Sequence, residues 1–314
     1  MKDQIKLNIV DTLAYFDVFG YCLTLDQLKL FLHSKKTDKR IIRECVDEIS
    51  IIEKKSGYYY FSGRERSALN RKIKQNYNQR KIDLAKNYAS IIRFVPGIRF
   101  IALTGSVSMM NASEDDDIDF FIITKRNMLW IARFFVVLLV KFLGVKREYR
   151  NKMVRDKLCL NMFLDEDELN FPKRNFYIAH EIAQMKVLYD GDAIYSRLIN
   201  KNNWIKKFFP NIKNIYSNSL QYKKRNGIFF IKDNILSSFN FVFFILQYGY
   251  MKNKITYEKV NLKKAFFHSD SNTNIILDEY RKRKNYYINL YQKSANSQNF
   301  EPKGVNLKLV NLAN

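Results

Sequence analysis

The segment Asp117-Ile118-Asp119-Phe120-Phe121-Ile122-Ile123-Thr124 constrains this chain more than any other. It is a β-type run, and strand side chains alternate, so Asp117 and Asp119 share one face while Ile118 and Phe120 take the other. Two carboxylates side by side repel each other. Burying them on an otherwise apolar strand is costly unless a cation sits between them. A solvated acidic turn would explain Glu114 to Asp116, but not two acids alternating inside an apolar run.

A second β-type run, Arg99-Phe100-Ile101-Ala102-Leu103-Thr104, opens directly onto Gly105-Ser106. The missing Cβ of Gly105 lets the backbone approach a ligand closely. The Ser106 hydroxyl and the amides of the following turn suit a phosphate oxygen. Hard oxygen ligands beside a phosphate-binding turn suit Mg2+. Metal-assisted phosphoryl or nucleotidyl transfer follows as the reaction class. A third run, Lys157 to Leu164, carries Lys157 at its head as a candidate nucleotide-binding residue.

Gly105-Ser106, the spacer, and Asp115, Asp117, Ile118 and Asp119 resemble the signature of the polymerase-β-like nucleotidyltransferase superfamily. The likeness extends to Asp11–Phe19, Asp156–Asp165 and Ala179–Gln184, which look like a group of bacterial nucleotidyltransferase-domain proteins. The resemblance implies that Gly105 and Ser106 hold the triphosphate of an NTP, ATP among the candidates, and that Asp117 and Asp119 are catalytic and bind two Mg2+ ions. An NMP then passes to an acceptor hydroxyl, and pyrophosphate leaves. The acceptor stays open among a small molecule, a protein side chain and an RNA end. Members of the class often carry a third carboxylate on a later strand. The candidate third position here is Asn161, with Asp165 one residue past the strand as its substitute. Asn binds a cation weakly and cannot take a proton. The basic residue expected after Gly-Ser is Val107, and a spacer glycine is Met110. These departures keep an alternative open: a catalytically weak or inactive nucleotide-sensing module with a DNA- or protein-binding winged helix.

The expected fold class is α+β, a small mixed-sheet nucleotidyltransferase core flanked by an N-terminal winged-helix-like domain and a C-terminal helical region. Residues 1–66 form the winged-helix-like domain. Ile9, Leu13 and Phe16 recur at helical spacing, Thr24 and Asp38 are N-cap candidates, and Lys55-Ser56-Gly57 is the turn of a two-stranded wing. Acids at Asp38, Glu44, Asp47 and Glu48 crowd the basic residues of the presumed recognition helix, which favours docking over DNA reading. Residues 67–97 form a connecting helix that Pro96-Gly97 ends, 98–166 the core, 167–300 the helical region, and 301–314 a tail. His180-Glu181 begins like a zincin motif, but the run His-Glu-Ile-Ala-Gln lacks the second histidine. The pair reads as a helix-surface or pocket-lining feature.

The 314 residues hold 54 Lys+Arg against 31 Asp+Glu, a formal net charge of +23. Such a charge fits a polyanionic partner, nucleic acid or nucleotide. It also fits lysines spread over solvated faces, and both readings remain open. The three cysteines have no CxxC spacing, so neither a zinc site nor a disulfide framework is indicated. A cytoplasmic location is expected. In Met128–Gly144, Arg133 and Lys141 interrupt an apolar run far shorter than the roughly 20 residues of a spanning helix. A buried or half-buried helix is expected there, and no membrane partner. Peripheral contact of 128–144 and 236–251 with anionic lipid is a third reading.

Overall fold

The computed structural model describes residues 2–148, 153–212, 236–252, 259–266 and 270–296. The tail expected at 301–314 and the side chain of Asn161 lie outside the described residues. The chain is mixed α and β, with two sheets.

The N-terminal unit runs α1 (Lys2–Asp17), β1 (Leu23–Thr24), α2 (Leu25–Leu30), α3 (Lys39–Asp47), β2 (Ile52–Lys55) and β3 (Tyr58–Phe61). Its three strands form an antiparallel sheet in the order β1-β3-β2. Thr24 caps α2 in a capping box with Gln27. Asp38 occupies the N-cap of α3, but its side chain makes no capping bond. The wing turns on Ser56 (φ +52°) and Gly57 (φ +82°), the two positive φ values that a tight hairpin turn needs. Ile9, Leu13 and Phe16 are buried, as their spacing requires.

The connecting helix is α4 (Glu65–Ile92), 28 residues and so about 42 Å long. Two of its basic residues, Arg71 and Lys81, are buried, while Arg66, Lys72, Arg80 and Lys86 are exposed. Lys81 is fully buried and donates to the carbonyls of Glu114 (2.9 Å) and Asp116 (2.7 Å) and to Asp156 (2.8 Å). Arg71 is buried between the rings of Tyr21 and Tyr58. Internal carbonyls, carboxylates and rings thus hold charges that the sequence leaves to solvent.

The larger sheet comprises β4 (Ile98–Leu103), β5 (Ile118–Thr124), β6 (Leu158–Asp165), β7 (Lys186–Asp190), β8 (Lys259–Asn261) and β9 (Lys264–Phe266), in the order β7-β4-β5-β6-β9-β8. Among the described strands only β5 and β6 run parallel, joined across α6 (Leu129–Phe142). On one face Ile101, Leu103, Phe120 and Ile122 pack with Ala85, Ala89 and Ile92 of α4 and with Leu129, Ala132 and Val136 of α6. On the other, Phe100, Ala102, Phe121 and Ile123 share a core with α7 (Phe176–Gln184), α8 (Ile194–Lys201), α9 (Ile205–Phe208) and the N-terminal unit. The last two helices are α10 (Asn240–Met251), against α6, and α11 (Asp270–Asn296), against α1.

The region expected to be mostly helical, 167–300, also supplies β7, β8 and β9. The expected helix from Phe176 to Tyr189 stops at Gln184, because Met185 turns to extended backbone (φ −58°, ψ 142°). Lys186–Asp190 then pairs with β4. A short apolar run satisfies strand and helix patterns alike, and only an open sheet edge decides between them.

Candidate functional site

Asp117 immediately precedes β5, and Asp119 is the second residue of that strand. Both are half-buried. Asp119 lies on the same face as Phe121 and Ile123, the face that α7 covers. Beside Asp119 on the parallel neighbour stands Cys159. Ligand atoms of Asp117, Asp119 and Cys159 all lie within 4.8 Å of one another.

The Gly105-Ser106 turn rests directly on this group. Gly105 has φ +63°, and a Cβ added to it would stand 2.5 Å from Asp119 Oδ2. No side chain fits there without moving the carboxylate. The Thr104 amide donates to the Asp119 carbonyl at 3.0 Å, which locks the end of β4 to the head of β5. The intervening loop is pinned by Asp116. Its carboxylate accepts from Ser106 Oγ (3.1 Å), the Ser113 amide (2.9 Å) and Ser113 Oγ. The Ser106 hydroxyl is therefore donated within the protein here, and must rotate to reach a phosphate.

Arg147 Nη1 donates to Asp117 Oδ2 at 2.6 Å and to Cys159 Sγ at 3.6 Å. A guanidinium thus already neutralises part of the acid pair. The Cys159 thiol is pushed far up, first by burial and then by the Asp119 and Asp117 carboxylates, and stays protonated.

Helix α7 carries a carboxyl, Glu181, that feels the charge of Asp119. Burial, followed by the charge of Asp119, pushes Glu181 up to about 7. Its Oε1 accepts from Gln184 Nε2 at 2.6 Å, which leaves Oε2. Tyr177, one turn earlier, is pushed up by burial and by the charges of Glu181 and Asp119. His180 points elsewhere. It is fully buried, stacks on Tyr15 (3.8 Å between centroids) and sits among Phe16, Phe31, Phe176 and Phe209, with no hydrogen bond to either nitrogen. It is a core aromatic, and of the His180-Glu181 pair Glu181 is the one that feels the charge of Asp119.

Two sequence candidates, Asp165 and Lys157, fall elsewhere. Asp165 pairs with Thr124 at the far end of β5 and β6, roughly 20 Å along the strand from Cys159. It accepts the amides of Asn127 (2.8 Å) and Asp167 (3.0 Å), and burial raises it to about 6. It caps a loop and does not supply the third carboxylate beside the pair. Lys157 Nζ donates to the Gly144 carbonyl at 2.7 Å, at the C-terminal end of α6, and is not aimed at the acid pair. Asn161 lies where the β5–β6 register shifts, between the Asp119↔Cys159 and Phe121↔Met162 pairs. That shift makes Cys159 the neighbour of Asp119.

Arg147, Cys159, Tyr177 and Glu181 were missed by sequence reasoning. Only Glu181 left a trace, inside the fragment that looked like a zincin. Comparison of the chain with protein-family models, with curated proteins and with solved structures finds no match.

Proposed function

We propose that this chain is a Mg2+-dependent nucleotidyltransferase of the polymerase-β-like type, moving an NMP from an NTP to an acceptor hydroxyl. The observation that carries the reading is the seating of Gly105 on Asp119. An acid pair on a strand lies directly under a turn whose glycine admits close approach, which is the juxtaposition that polyphosphate and cation need together. The donor set fits a divalent ion: two half-buried carboxylates supply hard oxygen, and the protonated thiol beside them is a weaker partner. Asp117 and Asp119 would hold the Mg2+ ions. Bound there, the metal neutralises phosphate charge and lowers the pKa of the acceptor hydroxyl.

The protein's own residues supply the rest. Gly105 and the Ser106 hydroxyl position the phosphates. Arg147, paired with Asp117 while no cation is bound, is a positive charge at hand for the departing pyrophosphate. Glu181 Oε2 accepts the proton of the acceptor hydroxyl, a role suited to a carboxyl that titrates near neutrality. Asn161 is not needed for this, because α7 brings the third carboxyl from outside the sheet.

The N-terminal order of helix, strand, two helices and two strands supports a winged-helix reading. Several of its basic residues are paired with acids: Lys39 with Asp26, Lys6 with Glu48, Lys2 with Glu44 and Glu48. That pairing favours a protein or the chain's own core as its partner, ahead of DNA.

The test is Mg2+-dependent incorporation of labelled NMP from each of the four NTPs. The parent incorporates label, and Asp117→Ala/Asp119→Ala does not. The Arg147–Asp117 pair favours one other reading, a nucleotide sensor in which the guanidinium does a metal's work. Metal-dependent NTP binding with no incorporation from any NTP would replace transfer by sensing.

A further inference from the structure

Helix α10 is apolar all round, yet only one stripe of it is packed. Asn240, Phe243, Phe244, Gln247 and Met251 face the protein, the spacing of a single helical face. Polar contacts fix that stripe: Asn240 accepts from the Trp130 amide (2.9 Å), Arg133 donates to Gln247 (2.7 Å), and Gln247 donates to the Trp130 carbonyl (2.7 Å). The outer positions, which in a water-facing helix are polar, are Phe241 (56% exposed), Ile245 (52%), Leu246 (66%) and Tyr250 (73%). No charged residue occurs from Asn240 to Met251. Helix α6, packed alongside through the Phe134–Phe243 ring pair (5.0 Å), adds a stripe of its own at i, i+4 and i+8: Phe134, Leu138 (54%) and Phe142 (88%). Monomers seldom leave so much contiguous apolar surface in water.

We propose that this two-helix face lies on an anionic lipid surface. Charge selects the occupant. Neither helix carries an acid, exposed Lys141 lies within the α6 stripe, and exposed Lys252 follows α10. The chain as a whole is +23. A second copy meeting the same face would bring like charge to like charge, whereas anionic headgroups neutralise the lysines while acyl chains take up the rings. Length selects the geometry. At 14 and 12 residues the helices span about 21 and 18 Å, short of the ~30 Å hydrocarbon core. Among the described residues no helix is long and apolar enough to cross a membrane. The contact is along the surface, and it stands independently of the transfer reading.

Co-sedimentation of the full chain with phosphatidylcholine vesicles, with and without phosphatidylserine, tests this. Retention is expected on the phosphatidylserine vesicles and declines with salt. Phe142→Asp/Leu246→Asp, both at exposed positions, weakens retention on the order of 100-fold, and Lys141→Glu/Lys252→Glu about as much at low salt. Circular dichroism of both variants stays that of the parent. A parent chain that remains in the supernatant with both vesicle types overturns the proposal. Sedimentation velocity then says what covers the face: a dimer abolished by Phe142→Asp/Leu246→Asp assigns it to a second copy, and a monomer assigns it to the chain's own remaining segments.

Discussion

Replacing Gly105 with alanine tests whether the strand-end turn and the acid pair form one structure. Two costs add. At φ +63° a side chain costs about 1–2 kcal/mol in backbone strain. The new methyl would also stand 2.5 Å from Asp119 Oδ2, and an ordinary contact requires a retreat of roughly 1 Å. The backbone cannot supply that retreat cheaply, because β5 is held between β4 and β6 and the Asp119 carbonyl is bound by the Thr104 amide. The carboxylate itself must swing out of its present place in the group with Asp117 and Cys159. A displacement on that scale is worth on the order of 100-fold in rate. Gly57→Ala is the matched control: it too has positive φ (+82°), but nothing lies within 4 Å of its added Cβ. Calorimetry should show both variants melting a few degrees below the parent. Titration with Mn2+ should show weakened binding, on the order of 100-fold, in Gly105→Ala alone, and NMP transfer should fall in parallel. A Gly105→Ala protein that binds Mn2+ as tightly as Gly57→Ala would show that Asp119 takes no part in a cation site under the turn.

Glu181→Gln should lower transfer by about 10²- to 10⁴-fold and flatten the pH–rate profile. In the parent the rate climbs as pH rises through about 7, because the base works only when ionised. Stability has the opposite sign: a carboxyl raised from 4.5 to about 7 favours the fold below its unfolded value, and this contribution is lost as pH rises across that interval. The glutamine variant loses that slope in urea titrations at successive pH values. Cys159→Ser should leave Mg2+-supported transfer within a few-fold of the parent, while Cd2+ binding loses its sulfur-to-metal absorption band; if the parent shows no such band, the thiol is outside the ligand set. Asp17→Ala should cost about 3–5 kcal/mol in urea denaturation. Asp17 accepts from fully buried Arg283, from Arg64 and from Tyr287, and its removal takes one of two carboxylates from a core guanidinium, leaving it Glu279 and the residue-17 carbonyl. A loss below ~1 kcal/mol would mean that Arg283 finds water or another acceptor.

Much of the fold was legible because it is local. The apolar runs at 99–104, 117–124 and 157–164, the capping box at Thr24 and the Ser56-Gly57 turn depend on residues within a few positions of each other, where periodicity and turn chemistry apply directly. The seating of Gly105 on Asp119 was half-legible: the residue types at that spacing announced a site, but not the 2.5 Å approach that makes the glycine necessary.

By itself, then, the sequence determined that the runs at 99–104, 117–124 and 157–164 become strands, and that an acid pair heads one of them beside a Gly-Ser turn, while strand or helix at 186–190 was left to the open sheet edge. Tertiary structure alone decided what surrounds the pair. The β5–β6 register sets Cys159 beside Asp119 and carries Asp165 to the opposite end of the two strands, and α7 sets Glu181 within the influence of Asp119 while burying His180. Strands joined through a helix and a long connection take their register from the packing of both sheet faces, and a helix chooses its inward side from whatever core it meets. Neither choice is written in the neighbouring residues.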